Sequence, residues 1–316
     1  MSKIRVAVVG GVRKDITVEA PPEYQAHVDS KTQARHYDEG YGGSAARAAK
    51  IFRGLGIDVD LVCKGSKDTS GELFAQRMQA IGVTYRPVIV PGFPSNTAVV
   101  SGSVRSALLY DHPDDRGEHD DNFPEIPIDS CSALYVDGKL GLAALAHAQQ
   151  ARAKAIPIMF DACAGRTTTD ELLRLANYTV ASELLAKERG LSSLAMLDYL
   201  KSTPCELGAV TLSEFGAIWF DRTENSRTRY LSALSVPRVM STNGAGDVFH
   251  AVLLWSILVF PQPMIEHLKN ARAGAAHAIQ HLQNKHRHPI LKDIQAASNL
   301  SQSEMRPAWV QPEWCN

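Results

Sequence analysis

Short apolar, β-branched runs alternate along this chain with longer stretches whose apolar residues recur at helical spacing, which predicts strands joined by helical crossovers. The strand-like runs are Arg5–Val9, Val59–Cys63, Thr97–Ser101, Ala133–Val136, Ile156–Phe160, Tyr178–Val180, Ala209–Thr211 and Ile218–Phe220. Several are apolar at nearly every position, as strands covered on both faces should be. Helical spacing predicts Ala45–Arg53, Glu72–Ile81, Leu140–Ala155, Thr169–Leu175 and Gly246–Val259, with a further helix near Asn270–Leu282. The expected fold class is α/β.

Two regions break the rhythm. Asp15 to Tyr41 is polar, contains Pro21-Pro22, and stands where a compact α/β unit has a short loop. Asp111 to Pro127 is polar too and carries Asp114, Asp115, Glu118, Asp120 and Asp121, a run that reads as a solvated loop because a cation site needs fixed geometry. Both are expected to rise off the main sheet as a lid. The tail after Leu291 is weakly patterned, with Trp309 and Trp314 expected to pack on the body or on a partner.

Composition narrows the function classes. The 33 Lys+Arg and 34 Asp+Glu leave a formal charge of −1, which argues against a nucleic-acid coat or an anionic-lipid binder. Five cysteines with no C-x-x-C pair indicate neither a disulfide framework nor a thiolate zinc site, so a reducing, cytoplasmic setting is expected. The opening MSKIRVAVVGG reaches polar and turn residues too early for a secretory h-region. Ala251 to Phe260, the longest apolar stretch, is stopped by Pro261, short of the roughly 18 residues a membrane span needs.

The chemistry concentrates at Ser241-Thr242-Asn243-Gly244-Ala245-Gly246-Asp247, just before an apolar helix. Small residues let backbone approach a ligand, and N–H groups at a helix start cradle an anion. Asp247, in the first turn, is placed to take a proton from a hydroxyl attacking a bound phosphoryl group. Capping statistics and a plain tight turn account for the same residues if the motif is taken alone. No G-x-x-x-x-G-K-[ST] occurs, and Gly10-Gly11-Val12-Arg13 does not complete G-x-G-x-x-G, so P-loop and dinucleotide-binding readings are set aside. A second Gly-rich element, Gly40-Tyr41-Gly42-Gly43, runs into an Ala-rich helix and offers a wall for a polyhydroxyl ligand or close helix–sheet packing. Gly65 to Gly71 reads as an architectural turn. His281, His286 and His288 lack the i,i+4 spacing of helical metal ligands, and nothing marks Cys163 as a nucleophile.

The order of these pieces, a first strand, Asp15, Gly42-Gly43, Gly65-x-x-Asp68-x-x-Gly71 and finally Asn243-Gly244-Ala245-Gly246-Asp247, resembles the PfkB/ribokinase family of carbohydrate kinases from about residue 6 to 275. The resemblance implies a ribokinase-like three-layer α/β/α sandwich with a small β-strand lid, a single domain over 1–316 with lid insertions at about 15–41 and 97–127. It implies ATP as donor, Mg²⁺, and phosphorylation of a hydroxyl on a sugar-like small molecule; a nucleoside kinase and a catalytically weak sugar-binding regulatory protein are the alternatives. It also allows a homodimer through the lid. Position by position, Asp247 matches the catalytic base, Gly244, Ala245 and Gly246 the anion hole, and Asp15, Gly42 and Gly43 the acceptor site. Thr211, Ser213, Gly216, Asn243 and Ala276 match nucleotide-binding positions, Ser213 standing where glycine is usual, and His281 and Asn284 resemble the adenine-side loop. Asp161 and Arg166 resemble a mainly structural pair.

Three departures stand out. Arg47 stands where the family usually has a sugar-binding asparagine; it offers a charged fork to an anionic acceptor, reshapes the pocket, or turns away to solvent or a neighbouring carboxylate. Ser241 replaces an aspartate. The family's N-x-x-E element falls near Ser182-Glu183-Leu184-Leu185, leaving Glu183 to organise magnesium through water.

Overall fold

A computed structural model describes residues 3–19, 31, 33, 36–89, 97–101, 106–110, 123–281 and 289–315. The acidic run 114–121, Asn284, His286, His288 and the centres of both expected insertions lie outside them.

Among the described residues thirteen strands form two sheets. They are β1 (Arg5–Val9), β2 (Arg13–Glu19), β3 (His36–Gly42), β4 (Asp58–Gly65), β5 (Thr84–Ile89), β6 (Thr97–Ser101), β7 (Ser106–Tyr110), β8 (Ala133–Val136), β9 (Ile158–Ala162), β10 (Tyr178–Ser182), β11 (Leu207–Thr211), β12 (Gly216–Asp221) and β13 (Arg229–Ser232). The large sheet runs β13-β12-β11-β10-β9-β8-β1-β4-β5, parallel except where β12 meets β11 and β13. The small sheet runs β3-β2-β6-β7. Nine helices are described: α1 (Ser44–Gly54), α2 (Thr69–Ala80), α3 (Gly141–Ala153), α4 (Thr169–Leu175), α5 (Glu183–Glu188), α6 (Ser193–Ser202), α7 (Ala245–Val259), α8 (Met264–His281) and α9 (Leu291–Ser298).

The apolar strands are covered on both faces, as their composition requires. In β1, Val6 and Val8 join one core with α1, α7 and α8, while Ala7 and Val9 join a second core with α3 to α6. Ala133 and Tyr135 against Leu134 and Val136 repeat the alternation in β8. Two cores on one sheet make the three layers. The chain leaves β1 toward β4 and β5 on one side and returns to β8 on the other, so β1 and β8 flank a topological switch point, where open α/β sheets place ligands at their C-terminal ends.

Several sequence expectations need correction. Thr97–Ser101 is a strand, as its β-branched run suggests, and it pairs parallel with β2 in the small sheet. Strands β2 and β3 fall largely within the first polar region and pair antiparallel with Asp15 opposite Gly40; Ile16 and Val18 alternate with polar residues in β2, while β3 carries no apolar alternation. The helix expected near Asn270 starts at Met264, just after Pro263. Short α5, α6 and α9 went unpredicted, since six to ten residues give little periodicity. The C-terminal tail packs back: Val310 is buried and Trp314 lies on the second core, its ring 6.4 Å from that of Trp309. Among the described residues no helix is long and apolar enough to cross a membrane.

Candidate functional site

Helix α7 begins in a loop shaped by its small residues. Gly244 has φ 78°, a left-handed conformation that costs an ordinary L-residue about 1 kcal/mol or more, and its carbonyl accepts the Val248 N–H at 3.1 Å. Ser241 Oγ accepts the Asn243 N–H at 3.2 Å, so the serine standing in for an aspartate still ties off the loop. A Cβ on Gly246 would meet nothing within 4 Å, so this first turn faces open space. The Ala245 N–H donates to the Thr242 carbonyl at 3.3 Å, while the first N–H groups of a helix find no carbonyl within it.

Asp247, in that first turn, does not stand alone. Arg47 Nη1 donates to Asp247 Oδ2 at 2.8 Å and Nη2 donates to Asp15 Oδ2 at 3.4 Å. The three side chains are 9% (Arg47), 9% (Asp15) and 20% (Asp247) exposed, so the cluster is largely removed from water. A cation between two carboxylates here is a positioning device more than a source of stability, because desolvation offsets much of the Coulomb gain. Of the alternatives for Arg47, the contact with neighbouring carboxylates is the one present: its guanidinium lies between Asp15 and Asp247.

Glycines make the cluster possible. A Cβ on Gly244 would stand 1.3 Å from Arg47 Nη1, so the guanidinium lies directly on this residue. Gly43, at the N-cap of α1 with φ 89°, brings that helix onto the turn after β1; a Cβ there would be 2.6 Å from the Gly11 carbonyl. Gly42 is bare where a Cβ would lie 2.1 Å from Asp15 Oδ2. Asp15, Gly42, Gly43, Arg47, Gly244 and Asp247, spread over 230 residues of sequence, thus meet in one place.

Two carboxylates beneath the cleft were not expected to contribute. Asp137, directly after β8, accepts the Gly11 N–H at 2.9 Å, the Ser44 hydroxyl at 2.6 Å and the Lys139 N–H at 2.9 Å, locking the switch point. Its signal was an acidic residue one step past a fully apolar strand. Asp161 accepts the Tyr135 hydroxyl at 2.7 Å and lies 3.4 Å from His250 Nε2. Burial pushes the Asp161 carboxyl up, and His250 offsets only part of that. His250 Nδ1 sits 2.6 Å from the Gly246 carbonyl, so this buried network braces the first turn of α7. Cys163 nearby has its thiol pushed up by burial, the opposite of a nucleophile's requirement.

The remaining predicted residues lie at the end of β11 and the turn after it, in the loop before α7, on α8 and at the start of α5. Thr211 ends β11 with its hydroxyl 3.4 Å from the Ala181 carbonyl, and a tight turn leads to Gly216 at φ 106°. Ser213, in that turn, has φ 52°, which explains why glycine suits the position. Asn243 is exposed. Ala276 is 5% exposed and packed in the first core, so its side chain is not on an open wall. Glu183 follows β10 at the first position of α5, whose N-cap is Ser182, and its carboxylate accepts the Ser193 hydroxyl at 3.5 Å. Among the described residues no group of three or more His, Cys, Asp or Glu could hold a metal. A lone carboxylate fits magnesium only in the manner usual for that ion, held mostly by water and substrate phosphates. His281 stacks on His277 at 4.2 Å.

Residues 3–289 match the description "pfkB family carbohydrate kinase". Among solved structures, the chain is similar to the ribokinase of Giardia lamblia (16% identity, TM-score 0.76, 94% of this chain and 99% of that one). It is similar to the Arabidopsis thaliana ribokinase solved with ribose and ATP (20%, 0.73, 95% and 100%). It is similar as well to a nucleoside kinase of Methanocaldococcus jannaschii (14%, 0.73, 94% and 98%). At these identities the structures establish the ribokinase-like fold, while the family match spans nearly the whole chain. With that fold and a glycine-lined helix start at the sheet's C-terminal edge, this protein belongs to the pfkB family of carbohydrate kinases, which are ATP-dependent enzymes.

Proposed function

We propose that this kinase transfers the γ-phosphoryl group of ATP to a hydroxyl of a sugar-like acceptor, with Asp247 as the general base. The observation that carries it is the contact of Arg47 with Asp247 and Asp15, which puts the residue beside the anion cradle within one side chain of the acceptor positions. Arg47 holds Asp247 Oδ2, so Oδ1 is the oxygen for the acceptor proton. As that proton leaves, the acceptor oxygen attacks phosphorus and ADP departs; the N–H groups of Gly244 to Gly246 face the charge on the transferring group. Thr211, Ser213, Gly216 and Asn243 border the nucleotide in this reading, Ala276 contributing through packing alone. Magnesium, when bound, neutralises phosphate charge, with Glu183 reaching it through water.

The small sheet serves as the lid that excludes water from the acceptor, over one domain spanning 1–316. A dimer through its edge strand β3, paired only with β2 among the described residues, belongs to the same proposal; a monomer mass by light scattering would remove it. So does a cytoplasmic setting, where ATP is plentiful and the five free cysteines stay reduced.

The test is Asp247→Asn in a coupled ADP-release assay. Turnover is expected to fall about 10²–10⁴-fold, the usual worth of a general base, with acceptor binding retained. Near-normal turnover would sink the assignment. The same assay run on ribose, hexoses and nucleosides separates a sugar kinase from a nucleoside kinase. The Arg47–Asp247 pair is also what a binder with little turnover would show; sugar-dependent thermal stabilisation without ADP release under any acceptor would favour that reading.

A further inference from the structure

Beside the Arg47 cluster, the C-terminal ends of β1 and β4 and the starts of β2 and α2 enclose a cavity. Four of its lining residues are cations, Arg13, Lys14, Lys64 and Lys139, joined by the hydroxyls of Ser66 and Ser70; no Asp or Glu lines it. In a chain whose charges balance to −1, four cations around one opening are a local excess. None of them is solitary: Lys14 pairs with Glu39 at 3.0 Å, and Lys139 Nζ reaches the Ser44 hydroxyl at 3.2 Å. Burial works to lower the Lys139 ammonium and Arg13 adds to that, yet Asp137 and, further off, Asp247 hold it net above its ordinary range, so it stays charged. Lys64 is 7% exposed. Desolvated cations facing a common space are what an anionic group relieves.

We propose that the acceptor itself carries an anionic group, a phosphate or a carboxylate, which seats in this cavity among Arg13, Lys14, Lys64 and Lys139 while its reacting hydroxyl lies at Asp247. The inference rests on the kinase reading for the hydroxyl and on the cavity alone for the anion. Position supports the span. Gly43 lines the cavity and also caps the helix that carries Arg47, and Lys139 lies within electrostatic reach of Asp247. Arg47 is not the anion's reader, because its guanidinium is committed to Asp15 and Asp247. Charge selection falls to the four cations, and phosphate and carboxylate differ only in how many of them each engages.

Glucose, glucose 6-phosphate and gluconate are the probes, measured by ADP release with ATP and by calorimetry without it. At least one anionic probe is expected to bind ten times or more tighter than glucose. Lys64→Gln should raise its KM about tenfold to hundredfold, the worth of a charge-assisted hydrogen bond, at least tenfold more than it raises the KM for glucose. Lys64→Arg should restore most of the loss. Should Lys64→Gln fail to fold, Lys14→Gln on the partly exposed lysine gives the same comparison. Preference for glucose, no binding of either anion, or an anionic KM indifferent to both variants overturns the proposal. Anion binding that is lost in Lys64→Gln without any ADP release leaves the anion site standing and removes the kinase reading instead.

Discussion

On the proposed acceptor side, Asp15, Arg47 and Asp247 hold one another through charged side chains drawn from a lid strand and two helices. On the proposed nucleotide side, the turn at Ser213 and the start of α7 present mostly backbone, shaped by residues at φ 52° and 78°. The two sides solve different problems. A phosphate chain is the same in every reaction of the family, so backbone N–H groups and a helix start suffice to hold it. The acceptor is what distinguishes one kinase from another, and discrimination needs side chains of definite length and charge. Replacements that distort the helix start or the cluster resting on it should therefore act on every acceptor, and those that only relax the turn should do little.

Gly244 joins the two sides, and Gly244→Ala is expected to have the largest effect. Its methyl group would force Arg47 off Asp247 while placing alanine at a left-handed φ, costing about 1–2 kcal/mol in backbone strain alone. Turnover should drop at least a hundredfold with every acceptor, and the melting temperature should fall; retention of both would mean that the cluster is not needed. Arg47→Asn is the intermediate case. It leaves buried Asp15 and partly buried Asp247 without their shared cation, so kcat should fall about tenfold or more across neutral and anionic acceptors alike. A change in acceptor charge preference, read from kcat/KM ratios, would move the anion-reading role back to Arg47. The smallest effect belongs to Ser213→Gly, which relieves a positive φ. Denaturant melts should show a gain of no more than about 1 kcal/mol, with KM for ATP nearly unchanged, if that turn contributes shape rather than side-chain contacts.

Legibility in the sequence follows the same division. The strands covered on both faces were readable because unbroken apolar runs such as Arg5–Val9 and Ala133–Val136 have few alternatives to a buried parallel strand. Strand β3, HYDEGYG, was not, because it gains its hydrogen bonds from β2 and carries no apolar alternation of its own. The α7 loop was legible as a local motif, since its residues are consecutive and their chemistry is backbone chemistry. Lys64 and Lys139 were not, because nothing in their neighbours says that the ends of β4 and β8 meet the same space. Arg47 was conspicuous as a departure, but its partners lie 32 and 200 residues away.

By itself, then, the sequence determined what depends on neighbours along the chain: the α/β class, most strand and helix positions, and a glycine-framed helix start with an aspartate in its first turn. The tertiary structure alone decided which charges face each other. Electrostatic partners act over a few ångströms of space regardless of their separation in the chain. Only folding brings Asp15 and Asp247 to either fork of one guanidinium, and gathers four cations of a nearly neutral chain around a single cavity.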